Sequence, residues 1–419
     1  MRTQPAPGTG KAGAVSRPRG GGLTADACRP GPWLRLTALL ALAGTVLAVV
    51  SGAAHLGTTH ELFAALVAPP LAALVVCAWL AHRALAPAVL GAAALFATAA
   101  AIRGAALHAT IAALALAALA VVTVQSFRGE RVAWGSWRDY VTLTKPRIMI
   151  LLLITGFCGM IAGARGWPGT TTAVAAMAGL ALACGGASAL NHVLDRDIDP
   201  LMGSRTKQRP VASGRVAPSR ALEFGLALSA FSFVLLATTV NVLTAFLALA
   251  GNLFYVLVYT RWLKRTTTQN IVIGGAAGAV PPLVGWAAGT GHVGVAAWLL
   301  FAIVFVWTPP HFWALAILIK DNYANAKVPM LPVVRGDRET ARQILLYSAV
   351  LVAVTLTPWA WGSAGLGYVA AALALGGAFL WLAERLRRDT TPRRAMLLFH
   401  YSLLYLALLF VALAIDPLL

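Results

Sequence analysis

Three aspartates stand within five positions of one another near the middle of the chain. Asp195, Asp197 and Asp199 are conspicuous because the 419 residues include only 14 acidic ones. Asn191, Asp195 and Asp199 are spaced four residues apart, and on a helix this spacing places their oxygen atoms in one stripe. Carboxylates this close repel one another, so a cation is needed to keep them ionised together. Mg²⁺ is the expected cation, because it prefers oxygen ligands and commonly bridges carboxylates to the phosphates of a substrate.

Basic residues follow these aspartates at once and recur in a later polar loop. Arg205, Lys207 and Arg209 come directly downstream, and Lys264 with Arg265 follow a later apolar run. A guanidinium presents a fork of N–H donors that matches phosphate oxygens. Acid, metal and base together therefore predict a diphosphate-binding site. The alternative is a solvated loop whose charges only orient the chain in a membrane, but orientation accounts for the bases and not for three aspartates.

A second acidic position occurs in an equivalent place, after the apolar run 295–319. The loop there begins Asp321-Asn322-Tyr323. We expect Asp321 to face the first aspartate cluster across a helical bundle, and Tyr323 to line the same site.

The elements that must position these residues are membrane helices. The sequence is 59% hydrophobic and 11% charged, with a mean hydropathy of +0.77, whereas a soluble domain carries about 25% charged residues. Apolar runs of about 20 residues, long enough to cross a bilayer as helices, predict an all-α polytopic membrane protein with thirteen spans. The predicted spans are 34–54, 61–81, 84–102, 105–126, 148–164, 171–192, 219–239, 242–260, 270–289, 295–319, 343–362, 366–383 and 396–415.

The net charge of +19 reflects orientation and not a nucleic-acid partner. If the N-terminal tail is cytoplasmic, the thirteen crossings leave only Arg103 and Arg165 of the 33 basic residues outside, as the positive-inside rule requires. The abundance of Arg and Ala favours a bacterial source. We therefore expect an inner (plasma) membrane protein of a bacterium, with its active site facing the cytoplasm. An organellar transit peptide at the N-terminus stays an alternative.

Four regions are expected along the chain. Residues 1–33 are predicted to form a disordered basic cytoplasmic tail, 34–126 a four-span membrane module, 127–145 a cytoplasmic connector, and 146–419 a nine-helix domain.

Paired prolines and glycines mark special positions in two spans of the nine-helix domain. Pro281-Pro282 and Pro309-Pro310 are expected to break their helices beside a substrate cavity. Gly274 and Gly278 are expected to allow close helix packing.

A diphosphate site at the surface of a membrane domain predicts a lipidic substrate, whose tail lies between the helices. Metal ions and bases stabilise the departing diphosphate, and aromatic faces can stabilise the allylic carbocation that is left. The sequence contains none of the GxSxG, HExxH or Walker motifs that indicate other chemistries.

Several stretches resemble the UbiA superfamily of intramembrane prenyltransferases. These stretches are Asn191 to Asp199, Arg205 to Pro210, and Tyr259 to Arg265. Three more narrow the resemblance to the heme-farnesylating branch of that superfamily, and these are Gln269 to Pro282, Trp307 to Trp313, and Val328 to Val334. The resemblance covers about residues 137 to 419. It implies transfer of a farnesyl group from farnesyl diphosphate to a vinyl group of heme B, with addition of water, to give heme O and pyrophosphate on the route to heme A and cytochrome oxidase.

The resemblance also implies roles for the acidic residues. Asn191, Asp195 and Asp199 would form the first metal-diphosphate motif, and Asp321 would belong to the second, so that Mg²⁺ is held through the diphosphate by these three aspartates. Asn322 stands where an acidic residue is often expected, which leaves the number of metal ions open.

Roles for basic residues and histidines follow in the same way. The residues implied to hold phosphate or a heme propionate are Arg147, Arg205, Arg209 and Lys264. His192 and His311 are candidates for heme contact or proton transfer; the alternative for both is a polar side chain hydrogen-bonded between helices.

The N-terminal module carries a separate resemblance. Thr59 to Ala65 and Leu107 to Ala113 are similar to part of heme A synthase, an eight-span enzyme that uses heme O. This likeness implies His60 and His108 as heme ligands and heme A synthase as a partner. The alternative is a structural extension whose histidines cap helices at the membrane interface.

Two other functions stay open for the whole chain. A prenyltransferase for an aromatic quinone precursor would share the aspartate motifs but not the Trp307 to Trp313 and Val328 to Val334 stretches. A transporter for heme or an anionic lipid would place its ionisable ligands near the bilayer midplane, whereas here they crowd one surface.

Overall fold

The structure, a computed structural model, describes residues 32–53, 58–81, 86–101, 111–112, 115–116, 118–123 and 135–416. Within these ranges every regular element is a helix, and nine helices are long and apolar enough to cross a membrane. The prediction of an all-α polytopic membrane protein with a nine-helix domain is therefore confirmed. The nine spans are α5 (Pro146–Ala164), α6 (Thr170–Leu194), α7 (Pro218–Thr239), α8 (Val242–Thr266), α9 (Asn270–Thr290), α10 (Val295–Leu318), α11 (Leu331–Ala360), α12 (Leu366–Arg388) and α13 (Pro392–Ile415).

Several of these spans are longer than their hydropathy predicts, and α8 and α11 extend furthest at one end. Helix α8 does not end at 260, because it continues as a π-helix over Phe254–Leu263 and closes with a turn at Lys264–Thr266. Helix α11 begins at Leu331, well before the predicted 343, and Gly336 at φ 79° interrupts its early part. Both extra segments are polar stretches that extend an apolar helix beyond the part that hydropathy detects.

Helices α5 and α9 pack backbone against backbone. A Cβ on Gly285 would clash with the carbonyl oxygen of Gly156, and a Cβ on Gly159 would lie 2.8 Å from the carbonyl oxygen of Pro282. Small residues allow this close approach, which is the main source of helix association in a bilayer.

The expectation that the proline pairs break their helices is wrong. Helix α9 runs continuously through Pro281 and Pro282, and α10 runs through Pro309 and Pro310. A proline removes one backbone hydrogen bond and costs about 3 kcal/mol in an isolated helix. All four prolines are buried among neighbouring helices, so tertiary packing holds each helix together across them.

The two glycines expected at a helix contact differ. A Cβ on Gly274 would clash with the ring of Tyr259 in α8, so Gly274 is a packing residue as predicted. A Cβ on Gly278 would meet no atom within 4 Å, so close packing does not require a glycine there.

The N-terminal region contains helices α1 (Pro32–Ala53), α2 (Thr58–Ala81) and α3 (Ala86–Ala101). They lie at the positions of the first three predicted spans, and their described apolar parts are shorter than the nine spans above: Leu34–Val49, Leu66–Ala78 and Val89–Ala99. The fourth predicted span, 105–126, is described only in part, and it is helical where it is described. Val49 and Leu116 pack against Val234 of α7, so this region contacts the nine-helix domain. Residues 1–31 of the predicted tail lie outside the described residues.

The connector contains an element that hydropathy did not indicate. Its described part, from residue 135, forms a short amphipathic helix, α4 (Trp137–Thr144), directly before α5. Leu143 of α4 is buried against Ala189 and Val193 of α6, so α4 rests on the end of the span that carries the aspartates.

Candidate active site

Asn191, Asp195 and Asp199, which we call the aspartate stripe, lie at the end of α6. The helix ends at Leu194, but the next turn keeps helical bonding, because the Asp199 amide donates to the Asp195 carbonyl over 2.8 Å. Asn191, Asp195 and Asp199 therefore share one face, and all three side chains are buried. The structure brings together the three residues whose spacing suggested a common stripe.

Asp195 is held by one lysine and one amide. Its Oδ2 accepts hydrogen bonds from Lys264 Nζ at 2.6 Å and from Asn191 Nδ2 at 2.9 Å. Lys264 comes from the last turn of α8 and is itself buried. The other carboxylate oxygen, Oδ1, is buried and has no hydrogen-bond partner among the described residues, and Arg265 Nη2 lies 3.9 Å from it.

Asp199 has the same arrangement with an arginine. Arg209 donates from Nη1 to Asp199 Oδ1 at 2.6 Å, while Oδ2 is buried without a hydrogen-bond partner among the described residues. Burial raises the pKa of Asp199, and Arg209 opposes that effect. A cation beside the free oxygens would favour the ionised form further.

Lys145 is a site residue that the sequence interpretation missed. It stands between α4 and α5 in a left-handed conformation (φ 50°) and donates from Nζ to Asn191 Oδ1 at 2.7 Å. Burial, together with the nearby Arg209 cation, lowers the pKa of Lys145 to about 7. The only local signal for Lys145 in the sequence is its place directly before Pro146. The family resemblance implies the neighbouring Arg147, and not Lys145, as a phosphate-binding residue.

The π-helical part of α8 supplies the opposite wall of the site. Thr260 accepts a hydrogen bond from Asn191 Nδ2 at 3.2 Å, one turn before Lys264 reaches Asp195. Tyr255 and Tyr259 lie in the same segment with ring centroids 5.5 Å apart. Long π-helical segments are rare and often occur at functional sites, and this one aligns polar and aromatic side chains with the aspartate stripe.

Arg265 has a bracing role in the structure. It makes two hydrogen bonds to Asp197, at 2.6 and 2.7 Å, and a third to the Leu194 carbonyl at 2.7 Å. Asp197 therefore pairs with a base from the last turn of α8. This pairing lowers the pKa of Asp197 to about 2, and it ties the end of α8 to the end of α6.

In the second acidic loop, which begins at Asp321, Asn322 and not Asp321 lies next to the loop that follows the first aspartates. A Cβ on Gly203 would lie 3.1 Å from Asn322 Oδ1, whereas the Asp321 side chain is exposed. Tyr323 is buried, and burial raises its pKa to about 12. One turn of helix, Lys320–Asn325, carries these residues, so neighbouring side chains point in directions about 100° apart.

The two candidate histidines occupy different surroundings. His192 is buried next to Asn191, and neither ring nitrogen has a hydrogen-bond partner among the described residues. His311 of α10 stacks on the rings of Trp307 and Phe399, with ring centroids 4.3 and 4.8 Å apart. Its Nδ1 is 2.6 Å from Ser402 Oγ of α13. His311 is thus hydrogen-bonded between helices, as the alternative interpretation for it held.

The remaining predicted basic residues lie outside the hydrogen-bonded cluster. Arg147, Arg205 and Lys207 are exposed. In the N-terminal region, His60 Nδ1 is 2.8 Å from the Ala48 carbonyl oxygen, which links α2 to α1. His108 is outside the described residues.

The buried cluster matches the needs of a metal-bound diphosphate. Two carboxylates each keep one oxygen without a hydrogen-bond partner, and Lys145, Lys264 and Arg209 surround them with positive charge. Among the described residues no three His, Cys, Asp or Glu side chains form a metal site by themselves, so substrate oxygens and water would complete the coordination of Mg²⁺. Buried carboxylates and cations in this arrangement, at one end of a nine-helix membrane bundle, are what is expected of an intramembrane prenyltransferase.

Comparison with known proteins gives the family. The UbiA prenyltransferase family matches residues 152–411, and the chain belongs to this family. It is 52% identical to protoheme IX farnesyltransferase 1 of Pseudomonas fluorescens (strain Pf0-1), in an alignment that covers 69% of this chain and 96% of that protein. It is 54% identical to protoheme IX farnesyltransferase of Symbiobacterium thermophilum, with 67% and 94% covered.

The fold has a counterpart among solved structures. A structure of digeranylgeranylglyceryl phosphate synthase aligns with a TM-score of 0.56 at 16% identity, covering 67% of this chain and 98% of that one. The likeness concerns the fold, and the family match begins after helices α1 to α4.

Proposed function

We propose that the protein transfers a farnesyl group from farnesyl diphosphate to a vinyl group of heme B, with addition of water, and releases pyrophosphate and heme O. The choice of substrates rests on the similarity to proteins named protoheme IX farnesyltransferase over nearly their whole length. The observation that carries the chemistry is the pair of buried aspartates at one end of the bundle, each with one oxygen that has no hydrogen-bond partner among the described residues, beside Lys145, Lys264 and Arg209.

In this proposal Asp195 and Asp199 are the principal metal ligands. Their unpartnered oxygens suit Mg²⁺, which takes oxygen ligands and retains water. Mg²⁺, when bound, neutralises charge on the diphosphate and so favours its departure. Asn191 orients Asp195 through the hydrogen bond of 2.9 Å. Asp321 is proposed as a further ligand, from a side chain that is exposed in this structure.

The cations around the aspartates hold the diphosphate. Lys264, Arg209 and Lys145 each contact one member of the stripe and can donate to phosphate oxygens from the same positions. Charge on the leaving diphosphate is thereby stabilised where water is excluded. The exposed bases proposed to attract the anionic substrates at the entrance are Arg147, Arg205 and Lys207, while Arg265 and Tyr323 complete the wall.

The acceptor side is assigned to the interior of the bundle. Tyr255 and Tyr259 present ring faces along α8 below the aspartates, and such faces stabilise an allylic cation. We propose that His192 contacts heme B or transfers the proton of the added water, because both of its ring nitrogens are buried without a hydrogen-bond partner among the described residues. His311 is the second candidate for contact with the heme.

The location and partners are proposed from the sequence. The positions of the basic residues support a bacterial inner membrane protein with the active site facing the cytoplasm. The N-terminal module, residues 34–126, is proposed to receive heme beside the synthase, with His60 and His108 as ligands and heme A synthase as partner. The bond of His60 to the Ala48 carbonyl supports the alternative of a structural extension.

One incubation tests the function. The purified protein is mixed with heme B, farnesyl diphosphate and Mg²⁺, and heme O is sought by mass spectrometry. An aromatic quinone-precursor acid in place of heme B is the comparison acceptor. Formation of heme O supports the proposal, prenylation of the aromatic acid alone would replace it with the quinone alternative, and no prenylated product of either kind would overturn it.

A further inference from the structure

Helix α4, which has a capped N-terminus, precedes the nine-helix domain and packs against the end of α6 that carries the aspartates. Ser136 and Asp139 form a capping box at the start of α4, with Ser136 Oγ 2.8 Å and the Ser136 amide 3.0 Å from Asp139 Oδ2. This arrangement uses one oxygen of Asp139 and fixes the carboxylate relative to the helix. The other oxygen, Oδ1, is directed to a different part of the chain.

That oxygen accepts a hydrogen bond from Arg215, whose guanidinium connects three segments. Arg215 donates from Nε to Asp139 Oδ1 at 2.8 Å, from Nη2 to the Gln208 carbonyl at 2.9 Å, and from Nη1 to Ser213 Oγ at 2.9 Å. A planar guanidinium makes these three bonds from three separate nitrogens in a fixed geometry, whereas a lysine would donate from a single nitrogen. Arg215 therefore joins the two ends of residues 208–216, which we call the arginine loop, and attaches them to α4.

The arginine loop also carries Arg209, the partner of Asp199. Gln208, whose carbonyl Arg215 holds, is the residue directly before Arg209, and Arg209 reaches Asp199 at 2.6 Å. The loop is closed further by the Val216 amide, which donates to the Pro210 carbonyl at 3.0 Å. A continuous set of bonds thus runs from Asp139 through Arg215 and the arginine loop to Arg209 and Asp199.

The ion pair is present throughout the physiological pH range. The hydrogen bond from Arg215 lowers the pKa of Asp139 to about 2, with help from the Ser136 amide and hydroxyl. The Asp139 side chain is 11% exposed and that of Arg215 is 47% exposed, so the pair is stronger than an ordinary surface contact but weaker than a buried one.

We propose that the Asp139–Arg215 ion pair is a positioning device that holds the arginine loop against α4 and so keeps the guanidinium of Arg209 on Asp199. The inference rests on the proposed function, since Asp199 and Arg209 bind the prenyl diphosphate in it. Arg215 is a positioning residue in this proposal, because its guanidinium donates to Asp139, Gln208 and Ser213 and acts on the site only through Arg209. Without the Arg215 side chain, the arginine loop must become ordered when the substrate binds. This cost lowers the affinity for the substrate and for the transition state equally.

The test measures diphosphate binding separately from turnover. The full-length protein with Arg215→Gln is titrated with farnesyl thiodiphosphate, an unreactive analogue, in the presence of Mg²⁺. We expect Kd to rise about threefold to tenfold, the range for a partly exposed charge-assisted hydrogen-bond set. In the turnover assay KM for farnesyl diphosphate rises by the same factor, kcat changes by less than about twofold and KM for heme B is unchanged.

Two further variants separate positioning from general damage. In an Arg209→Gln background, Arg215→Gln should add no further increase in Kd, because its effect passes through Arg209. Glu384→Gln is the matched control, since Glu384 pairs with Arg387 and Arg388 at 2.7 Å on another polar helix end and does not touch the arginine loop. It should leave Kd and KM as in the wild type.

Asp139→Asn and Arg215→Lys provide milder changes if Arg215→Gln fails to fold, and each should raise Kd in the same direction. An unchanged Kd in these variants, or an equal rise in the Arg209→Gln background, would overturn the positioning role. The proposed function fails separately, if the wild type binds the thiodiphosphate but makes no heme O.

Discussion

The pH dependence of substrate binding should report on Lys145. Its amine has a pKa of about 7, because it is buried in the site beside Arg209, so it is charged below that pH and neutral above it. Between about pH 7 and about pH 8.3 the charged fraction falls from about one half to about one twentieth. If the diphosphate binds to the charged form, KM for farnesyl diphosphate rises about tenfold over this range, which corresponds to about 1.4 kcal/mol.

The assay follows initial rates of heme O formation at saturating heme B and Mg²⁺ while farnesyl diphosphate is varied. The range is chosen because the last phosphate ionisation, with a pKa of about 6, lies below it. Lys145→Arg is the matched control, since arginine stays charged and its KM should vary little with pH. A wild-type KM that stays constant, or a Lys145→Arg variant with the same tenfold rise, would refute the assignment of Lys145 to the diphosphate.

Three further predictions concern the metal site and the helix contact. Removal of Mg²⁺ with EDTA should abolish heme O formation and added Mg²⁺ should restore it, as measured by mass spectrometry; activity without divalent cations would contradict the role of the aspartates. Asp195→Asn should lower kcat/KM at least about 100-fold, which corresponds to about 2.7 kcal/mol, because it removes a proposed Mg²⁺ ligand, whereas the neighbouring Asp197→Asn should have a much smaller effect. Gly285→Ala should destabilise the protein by about 1 to 3 kcal/mol through its clash with the Gly156 carbonyl, while Gly278→Ala in the same helix should not, and equal melting temperatures for the two variants would show that the α5–α9 contact adapts.

The sequence could predict what depends on local spacing. Asn191, Asp195 and Asp199 share a face because a repeat of four residues is close to one helical turn, wherever the helix lies. The nine spans were predictable for a similar reason, since a run of about 20 apolar residues needs a bilayer. Their ends were less predictable, because α8 and α11 continue into polar segments that are held by neighbours.

The structure decided which distant side chains join the stripe. Lys145 is 46 residues from Asn191, and Thr260 is 69 residues from it, and no periodic pattern relates such positions. Asn322 faces the first acidic loop while Asp321 is exposed, a difference of one position on a single helical turn. These outcomes depend on how helices are rotated and packed, which tertiary contacts control.

The sequence by itself determined a membrane-embedded helical protein with a cationic and acidic site, because hydropathy and helical periodicity are properties of short segments. Only the tertiary structure decided that Lys264 donates to one oxygen of Asp195 and Arg209 to one oxygen of Asp199, while the other oxygen of each has no hydrogen-bond partner among the described residues. It also decided that α9 stays continuous through Pro281 and Pro282. The physical reason is common to both: burial and close backbone packing bring together residues far apart in the chain, and their energies outweigh local preferences such as the helix-breaking tendency of proline.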